Sequence, residues 1–464
     1  MLTIHEGDGR MNRRQWLSVG SLALGGLSLA SLLAGRAAGA TSGLITGRSV
    51  IFLFQQGGPS QHETFDPKMT APDGVRTITG TVRTRLPGIY FGDTLPQLAA
   101  LADKLTIVRS FQTGNANHNI RPIVGPETLN TNMGSLCARV LGAMDPRTGM
   151  PTNAVLFPQA VSAEVARGQG RGDLTSTGVV GAAYAPMVPG GASNMLGNLR
   201  LSLDAERFHQ RRDLRGQLDR LHRRLDNEAS YQDFDRSHRQ ACEVLLSGRV
   251  ADALDLSRED PRVVARYDTS RFAVGQEWPN KGRGRKGYYT GHAKALGKML
   301  LLARRLCEAG CGFVTVHAGY EGIWDMHADG ENLNIADGMQ TVGRSFDHAV
   351  AAFIADLEAR GLEDKIVLIA AGEMGRTPRI NRTGGRDHWA RLAPLMVYGG
   401  GARGRVIGQS TRDGGEPVGD NYTSANLIST VLHAMFDIGE LRLQPALGAI
   451  SRLAETPPIP GVIG

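Results

Sequence analysis

Cysteine, aromatic side chains and long apolar runs are what this chain has little of. Its 464 residues hold four cysteines, and aromatics make up 6%. Cys137 and Cys242 stand alone, while Cys307 and Cys311 lie close together near a helix end, where a bridge between them is strained. A disulfide framework is not indicated. The paired CxxC of a structural zinc site is missing as well, which leaves buried free thiols as the expected state. Beyond the first forty residues nothing is long and apolar enough to span a bilayer. The net charge of +7 is spread along the chain with no aromatic-interleaved basic stripe, so it is weak evidence for anionic partners, and nucleic acid is not expected. Glycine, by contrast, is abundant: sixty residues, grouped at Gly57-Gly58, Gly384-Gly385 and Gly399 to Gly401, which reads as many tight turns. With 41% hydrophobic and 21% charged residues, the chain is long enough for one large or two ordinary globular domains.

The amino terminus carries a targeting pattern. Arg13-Arg14 precedes an apolar stretch from Trp16 to Ala34, softened by glycines and serines, and Ala38-Gly39-Ala40 offers small residues for cleavage, as in a twin-arginine signal peptide. Residues 1–40 are therefore expected to be that signal and the protein to reach the periplasm or cell envelope. The competing reading is an uncleaved anchor, which would be the chain's only association with a membrane.

The stretch Ile366–Trp389 organises the rest. Ile366, Val367, Leu368, Ile369 and Ala370 form an apolar run ended by Gly372, the pattern of a strand buried on both faces of a parallel sheet. Glu373, Arg376, Asp387 and His388 follow it. Ligands of open α/β sheets bind beyond the carboxyl ends of the strands, so these residues stand where chemistry is placed. Taken alone, they read equally well as a loop-stabilising ion pair and a cap.

Similar runs occur at Ser49–Phe54, Leu105–Val108, Gly312–Val316 and Pro394–Tyr398. Between the runs at Gly312 and Ile366, Val342, Phe346, Val350, Phe353 and Leu357 line one face of a helix, with Gly361 just past its end. This is a crossover, and it sets the ends of both strands at one edge of the sheet. The expected fold is α/β, with a mostly parallel sheet sandwiched by helices. From about residue 204 to 260 the chain turns charged, with Leu214, Leu218, Leu221 and Leu225 on one helical stripe, and reads as a helical insertion. Coiled-coil pairing is the alternative, but the stripe is short.

Three groups of acids and histidines each follow a strand: His62, Glu63 and Asp66; Asp325 and His327; Glu373, Asp387 and His388. Gathered at one rim, unpaired carboxylates would repel, and a divalent cation resolves the repulsion.

The motifs GGPSQHETFDPK at Gly57, WDMH at Trp324, GEMGRTPRIN at Gly372 and GRDHW at Gly385 occur together in this order. They resemble the domain-of-unknown-function 1501 family of exported bacterial proteins, itself similar to the alkaline phosphatase and sulfatase superfamily. The resemblance runs from about Ser49 to Ile438. It implies an alkaline phosphatase-like domain over residues 41–464 carrying the helical insertion. It also implies one metal set of Asp325, His327 and His388, and part of another in Glu63 with Glu373. Zinc or manganese suits such mixed ligation. Its expected activity is hydrolysis of phosphate or sulfate esters, with Arg376 or His118 holding the anionic substrate. Two departures count against that activity: Asn119 stands where the superfamily has its nucleophile, and Met374 where it has a metal-binding histidine. A non-catalytic exported binding or assembly protein with a degenerate metal site is the alternative.

Overall fold

A computed structural model of the chain describes residues 43–162, 165, 171–190, 207, 210, 248–273, 286–317, 322–401 and 404–464. The expected signal, Cys242 and the leucine stripe of the expected insertion lie outside these residues. Nine strands matter for the site: β1 (Ser49–Phe54), β2 (Leu105–Val108), β3 (Asn153–Leu156), β4 (Phe313–His317), β5 (Ile366–Ala371), β6 (Gly375–Ile380), β7 (Arg386–Trp389), β8 (Leu395–Tyr398) and β9 (Arg405–Ile407). Seven of them form one sheet in the order β9-β2-β8-β5-β1-β4-β3. All its pairings are parallel except those of β8, which runs against both neighbours. The reason is local. After β5 the chain stays at the carboxyl edge as the β6–β7 hairpin, so β8 enters the sheet from that edge and has to run back.

Helices cover both faces: α1 (Met133–Leu141), α2 (Lys286–Glu308), α3 (Arg344–Arg360) and α4 (Ser424–Met435). Alternate strand residues feed the two layers. Ile51, Leu53, Val314, Val316, Leu368 and Ala370 pack towards α2 and α3. Val50, Phe52, Phe54, Val367 and Ile369 pack towards α1 and α4. Continuous apolar runs are what a sheet with two covered faces requires. Val342, Phe346, Val350, Phe353 and Leu357 are all buried on the helical segment that ends at Arg360, and each contributes roughly 1.5–3 kcal/mol on burial. Gly361 ends that helix in the left-handed region at φ 64. The crossover between β4 and β5 does not join neighbours: it passes over β1, which pairs with both.

The described end of the expected insertion is held on the helical layer. Arg305 donates to the backbone carbonyls of Asp252, Ala253 and Asp255, and buried Arg304 pairs with Glu259, Glu308 and Asp356. Cys137, Cys307 and Cys311 are buried free thiols.

Candidate metal centre

Strands β1, β2, β4 and β5 point the same way, so the loops leaving them meet at one edge, and the β6–β7 hairpin folds back over it. Asp325, in the loop after β4, is the hub. Its Oδ1 accepts from Arg376 Nη2 at 2.6 Å and faces His388 Nε2 at 3.1 Å. Its Oδ2 faces His118 Nε2 at 2.9 Å and His327 Nε2 at 3.0 Å, and accepts from Asn332 Nδ2 at 3.2 Å. Among the described residues, His118, Asp325 and His388 bring three candidate ligand atoms within 4.8 Å of one another. The Asp325 side chain is 5% exposed, whereas those of His327 and His388 are 24% and 28% exposed, so the group opens to solvent on the histidine side.

The hydrogen-bond roles bear on whether the cluster suits a cation. His388 Nδ1 lies 3.0 Å from the Ala116 carbonyl, which only accepts, so Nδ1 carries the proton. In a neutral ring Nε2 is then a bare lone pair, yet it faces a carboxylate oxygen. His118 is in the same position, with Nδ1 at 3.2 Å from Glu373 Oε1 and Nε2 against Asp325. Protonated rings satisfy these contacts, and so does a metal ion between nitrogen and carboxylate; for His118, a protonated Glu373 donating to Nδ1 satisfies them as well. Two imidazolium rings would stand with centroids 4.5 Å apart beside the Arg376 guanidinium. A divalent ion removes that repulsion, and nitrogen donors joined by a carboxylate are the chemistry that zinc or manganese takes. The residues therefore fit the group. The Ala116 carbonyl is the kind of outer partner that fixes the tautomer of a metal-ligating histidine.

Without an ion, charge is shared as follows. Burial works against charge on His118, but hydrogen bonds to Asp325 and Glu373 outweigh it and push the imidazole up to about 9. Burial also opposes the Asp325 charge, but Arg376 and the imidazoles hold that carboxyl well below the usual range. Burial pushes Glu373 up, against the pull of His118 and the Gly57 N–H, which donates to both its oxygens at 2.9 and 3.1 Å.

Two expected site residues serve elsewhere. Glu63 is fully buried and paired with Arg386, whose Nε and Nη2 donate to its carboxylate at 3.0 Å, while Ser60 Oγ and the Ile78 N–H take up further lone pairs. Its oxygens are engaged there. Arg376 is also fully buried and donates to the carbonyls of Gly57, Gly58, Trp324 and Arg386 as well as to Asp325. These bonds tie together the loops that carry Gly57, Trp324 and Arg386. His118 is in the cluster, as a bridge between Asp325 and Glu373.

The family model described as a protein of unknown function, DUF1501, matches residues 47–442. The chain belongs to that family. No curated protein matches it. Among solved structures it is similar to Ps i-CgsB, at 9% identity over 83% of this chain and 71% of that one, with a TM-score of 0.34. It is also similar to the PsFucS1 sulfatase from Pseudoalteromonas sp., at 10% identity over 87% and 70% of the two chains, with a TM-score of 0.35. A third is the alkaline phosphatase from the Antarctic bacterium TAB5, at 13% identity over 89% and 99%, with a TM-score of 0.27.

In this DUF1501 member three further residues shape the rim. Gln56, at the end of β1, holds the Asn119 carbonyl at 2.8 Å and His317 Nε2 at 2.7 Å. Asn119 Oδ1 accepts the Arg121 N–H at 2.9 Å, so that side chain closes a turn. Met374 is buried and packs close to Gly58. Asn332 went unnoticed in the sequence, because an amide seven residues beyond Asp325 has no motif to mark it.

Proposed function

We propose that this protein is an exported metal-dependent hydrolase of phosphate or sulfate esters, with residues 1–40 a twin-arginine signal and residues 41–464 one α/β domain carrying an insertion at about 204–260. The observation that supports it most is the convergence of His118, His327 and His388 on Asp325 at a solvent-facing edge of the sheet. A zinc or manganese ion held by Asp325, His388 and His118, with His327 beside them, would polarise an ester oxygen and acidify a bound water. The protein's own part is to hold the donors: Arg376 fixes Asp325, Glu373 fixes His118 and the Ala116 carbonyl fixes His388. No side-chain nucleophile is assigned, and water is taken as the nucleophile. Attack by water forms one oxygen–phosphorus or oxygen–sulfur bond as the ester bond breaks, and the alcohol leaves with a proton.

A second reading, a non-catalytic metal-stabilised binding or assembly protein, is favoured by Met374 and by the engagement of Glu63 with Arg386. One experiment separates them. After reconstitution with zinc or manganese, the purified protein should hold a divalent ion, and aryl phosphate or aryl sulfate should be hydrolysed. His327→Ala and His388→Ala should each lower metal affinity about tenfold or more, whereas His348→Ala, on α3, should change neither readout. Bound metal without hydrolysis selects the second reading. No bound metal removes both.

A further inference from the structure

The loop that carries Asp325 and His327 turns back on itself and delivers one neutral donor to both. Ala328 adopts φ 57, and its N–H closes onto the Leu333 carbonyl at 3.1 Å. Asp329 Oδ1 accepts the N–H groups of Glu331 and Asn332 at 2.9 and 2.7 Å, which fixes the turn. The Asn332 side chain is thereby buried, with Nδ2 at 3.2 Å from Asp325 Oδ2, 3.4 Å from His327 Nε2 and 3.4 Å from Asp329 Oδ2. A buried amide is costly unless its hydrogens are used. Here they are directed at Asp325, the hub of the cluster, and at its neighbours His327 and Asp329.

We propose that Asn332 is a positioning residue of the metal centre, which sets Asp325 Oδ2 and His327 Nε2 at the separation an ion needs. The inference rests on the metal-dependent reading above. Asn332 occupies a lone pair of Asp325 Oδ2 without adding to the positive charge that Arg376 already brings to Oδ1. Asp329 acts one step further out, because it holds the backbone and the amide of Asn332 but lies 3.7 Å from His327.

The test compares two asparagines in the same loop. Asn334 caps the following helix, its Oδ1 accepting the Asp337 N–H at 2.8 Å and its Nδ2 donating to Asp337 Oδ2 at 2.9 Å. Zinc affinity is measured by chelator competition, and thermal stability is measured on the metal-free protein. Asn332→Leu keeps the loop filled and should weaken zinc binding about 10–100-fold while the metal-free melting temperature stays near wild type. Asn334→Ala should lower the melting temperature and leave zinc affinity unchanged. Equal zinc affinity in Asn332→Leu and wild type overturns the positioning role, as does an equal weakening in Asn334→Ala. Wild-type protein that binds no zinc overturns the metal-dependent reading itself and this inference with it. If Asn332→Leu does not fold, nitrogen NMR of the wild type decides: the Asn332 side-chain amide should shift on adding zinc while that of Asn334 stays, and an unmoved Asn332 amide overturns the role.

Discussion

His292 shows how a single residue sets a pH dependence far from any chemistry. It lies on α2, 1% exposed, and neither ring nitrogen has a hydrogen-bond partner among the described residues. Burial alone lowers its pKa from 6.5 to about 3. The sign follows directly. Above pH 6.5 the ring is neutral in both the folded and unfolded chain and has no effect. As the pH falls below that value the unfolded chain binds a proton that the folded chain refuses, so stability is lost, at about 1.4 kcal/mol per pH unit, until the folded pKa is reached. His292→Leu should therefore flatten the acid side of the stability curve. Denaturant midpoints at pH 6.5 and pH 4.5 check it, and an unchanged difference between those two midpoints would show that His292 titrates normally.

Among elements, the decisive meeting is that of the loops after β1, β4 and β5. Gly57 has φ +107, and a Cβ there would lie 2.6 Å from the Asp325 nitrogen and 2.8 Å from that of Trp324. Its own N–H binds Glu373, so one glycine seats both acid-bearing loops. Gly57→Ala should push the Trp324–Asp325 backbone away, lowering metal content and melting temperature together; retention of both would show that the loops have room to move. The loops are also where the sequence becomes hard to read. The five expected core strands appear at almost the expected residues, because a sheet covered on both faces demands unbroken apolar runs. Strand β3 is not among the expected strands, and GRTPRI and RDHW of β6 and β7 alternate too little to announce a hairpin. The reversed direction of β8 depends on that hairpin and was invisible for the same reason.

At the scale of the whole molecule, topology made Asp325, His327 and His388 legible together, since strands that share a carboxyl edge bring distant segments to one place. Which charged side chains would be taken up by internal partners was not legible. Glu63 and Arg376 carry the right chemistry in the right region, yet Arg386 and four backbone carbonyls engage them, and spacing along the chain cannot show that. The other end of the chain poses a question of independence. The Thr46 N–H binds the Met435 carbonyl, Ile45 bridges to Phe436, and Leu44 is 2% exposed in the layer beside α4. Firm contact with the body thus begins within a few residues of the proposed cleavage site at Ala38-Gly39-Ala40. If residues 1–40 are an address, removing them should leave the melting temperature and the metal affinity of the remaining chain unchanged. Arg13→Lys with Arg14→Lys should keep a folded, metal-binding protein in the cytoplasm, because the twin-arginine route is read from that pair. Cell fractionation followed by melting of the retained protein checks both parts. Normal delivery to the periplasm or envelope would refute the address, and a lower melting temperature after truncation would show that these residues belong to the fold.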